Sequence, residues 1–166
     1  MLKQYVLLAV VAMGLFGCAS VPMGDSNKDA ALKTFGGNSD IAGVYIYRNE
    51  SLGPGLRMIV QVDGRPLGQT APRVYLYTEI SPGKHVITST TLNPFTGNSE
   101  NETDSLEFEA IAGKRYYIWQ EVKPDWNPLA FVLPLPWIYL PHPKLHLVDE
   151  PEGQKGVLET KLAVSQ

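Results

Sequence analysis

Three sets of residues in this chain have the types and spacing that chemistry needs. Glu107 and Glu109 flank one residue in "SLEFEA". On a strand both carboxylates share one face, about 7 Å apart at Cα, a separation at which paired carboxylates can hydrolyse glycosidic bonds. His142 and His146 stand four apart in "HPKLH", the spacing by which a helix turns two imidazoles toward one metal ion. Ser26 falls in "GDSN", which looks like the start of a serine-hydrolase block. Each set also has a plainer reading. Glutamates normally occupy the solvated face of an antiparallel strand, and only burial would raise one of their pKa values. Glu100 and Glu102, in a polar loop, read the same way. Pro141 and Pro143 forbid a helix around His142, and extended chain holds the two histidines about 13 Å apart. Ser26 or Asp25 serves as a helix cap. His85 is expected to begin a strand and hydrogen-bond locally. No catalytic residue, metal ligand or cofactor is assigned.

Cys18, the single cysteine, has the richer context. Before it come Lys3 and an uncharged apolar run from Tyr5 to Phe16. That run of about 12 residues suits the apolar region of a signal peptide and is too short for a span of ~20. Leu15-Phe16-Gly17-Cys18 resembles a bacterial lipobox. Leu15 and Gly17 are the positions a signal peptidase reads, the small Gly17 letting extended backbone enter the peptidase groove. The Cys18 thiolate is the nucleophile that accepts a diacylglyceryl group. The resemblance implies cleavage before Cys18 and further acylation of its amine, and two or more acyl chains anchor stably. The alternative is a secretory signal cut near Ser20. Ala19, not aspartate, follows Cys18; aspartate there resembles an inner-membrane retention signal, so the outer membrane, periplasmic face, is expected. With Cys18 acylated, no thiol is left in the folded domain, and a single cysteine allows no intramolecular disulfide.

The remaining chain supplies a domain to be anchored. Its 166 residues, 44% hydrophobic and 19% charged, fit one domain with a real core. A net charge of -3 offers no basic excess to meet a phosphate backbone, so nucleic acid is not an expected partner. The organisation reads as a signal peptide over 1–17, an anchor, tether and short helix over 18–40, and a β domain over 41–166. In "DSNKDAALKTF" a cap at Asp25 or Ser26 and a stop at Gly36-Gly37 bound a helix that carries Leu32 and Phe35 on one face.

From Ala42 the period becomes two. Strands are expected over Ala42–Arg48, in "LRMIVQV" with Met58, Val60 and Val62 on one face, in "RPLGQT", over Val74–Ile80, and in "HVITSTT". Further strands are expected in "SLEFEA" with Leu106, Phe108 and Ala110 inward, over Arg115–Val122, and in "KLHLVDE". Asp63-Gly64 and Ser81-Pro82-Gly83-Lys84 are turns, and 93–104 reads as a polar loop. A Gly-interrupted helix is expected near Lys155 to Leu162. The fold class is mainly β, a single β-sandwich of about seven to eight short, mostly antiparallel strands with a short helix near each end. Tyr45, Tyr47, Tyr75, Tyr77, Tyr116, Tyr117 and Trp119 divide between core and an outward face. That face suits either partner binding or ordinary cross-strand pairing.

A series of motifs in order, "DAALKTF", "AGVYIYRNE", "VDGRPLGQT", "SPGKH", "AGKRYYIWQE" and "LVDEPEGQKG", together with the lipobox, resembles the bacterial lipoprotein family known as domain of unknown function 2846. The resemblance covers Val21 to Leu162 and implies a small β-sandwich, with location better fixed than activity. "VQVDGRPLGQT…ISPGKHVI" is also similar to PEGA-type β-modules of surface proteins, which share a VDG hairpin and a PG-x-H turn.

The insertion at 125–143, "DWNPLAFVLPLPWIYLPHP", matches the family least. Its apolar runs are far shorter than the ~20 residues a membrane helix needs, and Pro134 and Pro136 break any helix between them. It is expected to be a lid over the core or a surface that contacts a membrane or a partner through Trp126, Phe131, Trp137 and Tyr139. The functional expectation is a non-enzymatic envelope lipoprotein, a structural or interaction module with an envelope protein as partner. The alternatives are an envelope hydrolase and a carrier of small apolar ligands.

Overall fold

The computed structural model describes residues 21–51, 56–92, 99–123 and 142–165. Strand β1 (Ala42–Arg48) places Val44 and Ile46 on one face and Tyr45 and Tyr47 on the other, and all four are buried. A strand buried on both faces needs cover on both, and β1 is the middle strand of a five-stranded sheet. It pairs antiparallel with β4 (Val74–Ile80) and parallel with β7 (Arg115–Lys123). Beyond β7 lies β8 (His142–Val148), and beyond β4 lies the two-residue β9 (Lys161–Leu162). The second sheet is antiparallel throughout, with β3 (Arg65–Thr70), β2 (Arg57–Val62), β5 (Gly83–Leu92) and β6 (Ser99–Ala110) side by side. Asp63 and Gly64 turn β2 into β3 with φ of 51° and 76°, as a tight hairpin of right-handed strands requires.

The two sheets pack face to face in a sandwich-like arrangement. Val44, Ile46, Leu76 and Ile118 of the first meet Val60, Leu67, Ile87 and Phe108 of the second. The seams between the sheets are closed as well. On one side the Asp104 carboxylate accepts the Leu145 N–H at 2.8 Å and the Lys144 Nζ at 3.2 Å. On the other, Ser165 bridges Gly68 of β3.

Two helices cover the outer face of the five-stranded sheet. In α1 (Ser26–Leu32) the Asp25 carboxylate caps the N–H groups of Asn27 and Lys28, both at 2.9 Å. In α2 (Glu150–Leu158) Asp149 caps Glu152, and Pro151 stands in the first turn, where its missing N–H costs nothing. Leu32, Phe35 and Val157 pack on Tyr45, Tyr47, Tyr75 and Tyr117. Gly153 and Gly156, three apart on α2, are what allow this. A Cβ at either would stand 2.1 Å from Tyr117 or Tyr47.

Several expectations change. Nine strands, not seven to eight, are present among the described residues. The C-terminal helix begins at Glu150, five residues earlier than the sequence suggested, because Asp149 and Pro151 start it. It ends at Leu158, and Lys161–Leu162, expected as helix, are β9. β6 begins at Ser99, so its first half falls in the expected polar loop. Thr103 there pairs with Thr90, their hydroxyls 2.9 Å apart. β8 starts at His142 and accommodates Pro143 because it is an edge strand. The N-terminal helix ends at Leu32, short of the expected stop at Gly36-Gly37, and Phe35 lies beyond it in the left-handed region at φ 54°, although both side chains still pack on the tyrosine face. The inward set Leu106, Phe108 and Ala110 and the shared face of Met58, Val60 and Val62 stand as read.

Candidate functional site

Leu15, Gly17 and Cys18 lie outside the described residues, as do Trp126, Phe131, Trp137 and Tyr139. The other chemical candidates are placed apart from one another. Glu107 and Glu109 are exposed on β6, opposite Val86 and Lys84. His85 pairs with Phe108, whose ring turns into the core, so the imidazole and the two glutamates belong to opposite faces of one sheet. His142 and His146 lie on β8 in the other sheet. His146 Nε2 is 2.8 Å from Glu121 Oε2, and its ring stacks on Trp119 at 5.1 Å. Ser26 opens α1, and no histidine lines the groove beside it. Among the described residues no three His, Cys, Asp or Glu side chains gather as a metal site.

His85 does bond locally. Its Nδ1 is 2.7 Å from Asp63 Oδ2 and its Nε2 is 2.8 Å from the Ser81 carbonyl. Both partners are acceptors, an arrangement that favours the protonated ring with both nitrogens donating. The hydrogen bond to Asp63 raises the His85 pKa, and the Val86 N–H, at 2.9 Å from Asp63 Oδ1, is the largest influence lowering that of Asp63. The VDG hairpin and the PGKH turn thus meet in space as one tie. A cleft of about 470 Å³ opens beside them, lined by Arg65, Leu67, Glu79 and Ser81 among others. Since both imidazole nitrogens and both Asp63 oxygens are engaged, this node holds the turns together and presents no free base.

A second polar cluster is sealed between the sheets. The Thr70 hydroxyl donates to the Gln120 carbonyl, and the Gln120 amide donates to the Ser89 hydroxyl. Nearby, Arg48 is fully buried and donates Nη1 to the Leu56 carbonyl at 3.0 Å. Burial lowers its pKa to about 10. Burial likewise raises that of Glu50, whose carboxylate accepts the Val122 N–H at 2.6 Å. A buried chain such as Thr70–Gln120–Ser89, in which each side chain meets a partner, helps specify a unique packing.

The tyrosine face, a candidate for partner binding, is not available for it at four positions. Tyr45, Tyr47, Tyr75 and Tyr117 are at most 2% exposed beneath α1, Phe35 and α2. Tyr116 is on the other face, against Phe108 with ring centroids 4.9 Å apart.

What is left open is the β9 edge, where the start of the described chain meets its end. Met23 bridges Ala163, the Gly24 N–H bonds the Leu162 carbonyl, and the Val164 N–H bonds the Pro22 carbonyl, both at 2.9 Å. Val21 is buried, so the fold is already fixed at that residue. Two grooves flank Met23. One, about 320 Å³, is lined by Val21, Pro72, Arg73, Glu159 and Lys161 among others. The other, about 510 Å³, is lined by Ser26, Asp29, Lys33, Leu158 and Lys161 among others. Asp29 latches this edge by accepting Lys33 Nζ at 3.0 Å and the Leu162 N–H at 3.1 Å, while Lys33 Nζ also reaches the Thr160 carbonyl at 2.6 Å. Arg73, in the left-handed region at φ 63°, forms the β3–β4 corner, and its Nε donates to Ser51 Oγ at 3.3 Å. Sequence reasoning missed this edge: "SVPMGD" reads as tether and "APRV" carries no period.

Residues 38–134 match the family model described as Protein of unknown function (DUF2846). A Haemophilus influenzae protein, itself described as uncharacterized, is 30% identical over 159 residues, covering 93% of this chain and 81% of that protein. No solved structure matches.

Proposed function

The chain belongs to the DUF2846 family, whose function is unknown, and from that premise we propose that it is a bacterial envelope lipoprotein whose two-sheet body is an interaction module without enzymatic chemistry of its own. The observation that carries this reading is the tetrad Leu15-Phe16-Gly17-Cys18 at the end of an uncharged apolar run. Leu15 and Gly17 direct cleavage, and Cys18 takes the acyl chains. Ala19 after it favours the outer membrane, periplasmic face. The buried Val21, three residues past Cys18, fits a body that begins right at its anchor. Radiolabelled palmitate given to cells tests the anchor. Label is expected in the protein and absent from Cys18→Ala; equal label in both ends the reading.

The insertion is the proposed contact for an envelope protein, through Trp126, Phe131, Trp137 and Tyr139. It joins β7 to β8 at the edge of the five-stranded sheet opposite β9. Four strand spacings, about 19 Å, separate the two edges. Crosslinking with pull-down from intact cells is expected to capture a protein that Phe131→Ser with Trp137→Ser no longer captures. Capture unaffected by the pair of changes removes the insertion from the contact.

A further inference from the structure

We propose that the β9 edge is a membrane-contact surface, which lies against the phospholipid headgroups of the leaflet that holds the Cys18 acyl chains. The inference rests on the lipoprotein reading and adds to it which side of the body meets the bilayer. Three observations carry it.

The first is reach. Backbone bonds to Leu162 and Val164 pin residues 22–24 to the edge, and Val21 is 5% exposed. Two residues, Ala19 and Ser20, separate Val21 from Cys18, so the three Cα–Cα steps keep the Cys18 Cα within about 11 Å of Val21 however they run. No long tether is left that would let the body tumble freely above the bilayer.

The second is apolar exposure. Among the described residues the large hydrophobic side chains most open to water are Met23 at 48%, Ile111 at 50%, Leu147 at 47%, Leu158 at 58% and Val164 at 45%. Three of these five gather here. Met23 and Leu158 line one groove, and Val164 is bonded to Pro22 next to Met23. Single exposed apolar residues are ordinary, but a group beside a lipid anchor has a solvent to enter.

The third is charge. Arg73 and Lys161 border the groove at Val21, and both are exposed. The carboxylate that shares the groove, Glu159, accepts Asn49 Nδ2 at 2.9 Å. Lys33 is balanced by Asp29. Glu159 keeps its charge when it accepts a neutral amide, so Arg73 and Lys161 leave this groove with one positive charge in excess beside Met23, at the depth where phosphodiester groups would lie if Met23 and Leu158 enter the headgroup layer. An amphipathic edge of this kind binds by buried apolar area plus attraction to anionic lipid. A protein partner would meet the same apolar group, but nothing in its position ties a protein to Cys18 as the bilayer is tied.

The test uses the full, acylated chain in vesicles of phosphatidylethanolamine and phosphatidylglycerol. With Cys18 acylated, an introduced cysteine is the only free thiol. Spin labels are attached to Met23→Cys, Leu158→Cys and, on the outer face of the other sheet, Thr88→Cys. Lipid-soluble oxygen is expected to relax the first two labels more than a water-soluble nickel chelate does, with the reverse at position 88. Replacing phosphatidylglycerol by phosphatidylcholine, or making Arg73→Gln with Lys161→Gln, is expected to lower the oxygen-to-nickel ratio at position 23. Each cation is expected to change the edge's lipid contact about fivefold. A chain that takes up palmitate while positions 23 and 158 stay as open to the nickel chelate as position 88 overturns this proposal alone. Labels at 23 and 158 shielded from both reagents point to a protein-covered edge and overturn it too. A chain that takes up no palmitate overturns the anchor and this surface together.

Discussion

The two faces of the five-stranded sheet are equally dry and differently made. The inner face is aliphatic, with Val44, Ile46, Leu76 and Ile118 at 0% exposure. The outer face is built of Tyr45, Tyr47, Tyr75 and Tyr117. The inner face meets a second sheet, where branched side chains interdigitate in a layer about 10 Å thick. The outer face meets only two helices of 7 and 9 residues. So thin a cover leaves polar groups within reach of the rings. Tyr45 donates its hydroxyl to the Leu32 carbonyl at 2.9 Å, and Tyr117 accepts from Gln154 Nε2 at 3.5 Å. The rings also orient one another: Tyr45 stacks on Tyr117 at 5.2 Å, and Phe35 stands edge-on to both. The inner face is organised by shape around one sealed polar chain, Thr70–Gln120–Ser89; the outer face adds hydroxyl partners that fix where the helices sit.

If that contrast holds, damage to the inner face is the more costly. Ile118→Ala leaves a cavity between two sheets that cannot both close on it, and a loss of about 2–5 kcal/mol is expected. Urea unfolding measures it, and a loss below about 1 kcal/mol would mean the inner face can collapse around the hole as easily as a thin cover can. On the outer face, Gly153→Ala or Gly156→Ala adds a methyl 2.1 Å from a tyrosine side-chain atom. Helix α2 must lift, and about 1–3 kcal/mol is expected for each. Alanine is the better helix former, so stabilisation by either change would show that α2 does not lie on the rings. The same lift should expose tyrosine, seen as a change in near-ultraviolet circular dichroism absent from Ile118→Val.

These glycines also show where the sequence was legible and where it was not. Period-two runs such as "AGVYIYR" and "VYLYTEI" declare strands because side-chain alternation is a local property. The caps Asp25 and Asp149 are local too, though "KLHLVDE", which contains Asp149, reads as strand. "EGQKG" reads as a broken helix, since a glycine's cost is visible in one dimension and the tyrosine it makes room for is not. β6 is obscured for a related reason. "SENETD" lacks apolar alternation, yet a β5 neighbour such as Thr90 gives its polar residues cross-strand partners. β9 is two residues long and exists only because Arg73 and Tyr75 offer carbonyls to Lys161 and Ala163. The β9 edge was hidden by the same limit, because its residues come from the two ends of the chain and one corner.

A smaller effect tests what the hydroxyls add. Leu32→Ala removes part of the α1 contact on the rings while leaving its backbone carbonyl in place for Tyr45. Leu32 is only partly buried, so a loss of about 1–2 kcal/mol is expected, less than for Ile118→Ala. A cost equal to that of the inner-face cavity would erase the distinction between a thick cover and a thin one. Chemical denaturation of both variants under one condition makes the comparison.

The smallest change at neutral pH is Tyr45→Phe, and it separates the faces by sign. The variant loses the hydroxyl bond to Leu32, worth about 0.5–1.5 kcal/mol, with the ring kept. Burial first, and then the neighbouring Tyr117, raise the Tyr45 pKa to about 12. Tyr47 is raised to about 12 as well, again by burial first and then by Glu152 and Glu159. The unfolded value is about 10. A folded pKa above the unfolded one contributes stability that is complete below about pH 10 and is lost as pH rises through about 12. The unmodified protein therefore weakens across that window by ionising Tyr45 in the unfolded chain, and Tyr45→Phe is spared that part of the loss. The gap between the two is expected to narrow and then reverse between about pH 10 and about pH 12, while the deficit of Ile118→Ala stays level because no titrating group is altered. Denaturation midpoints across the alkaline range, with phenolate absorbance followed alongside, decide it. A Tyr45→Phe deficit that stays constant to pH about 12 would show that this hydroxyl already meets water, and that the outer face is dry in its rings alone.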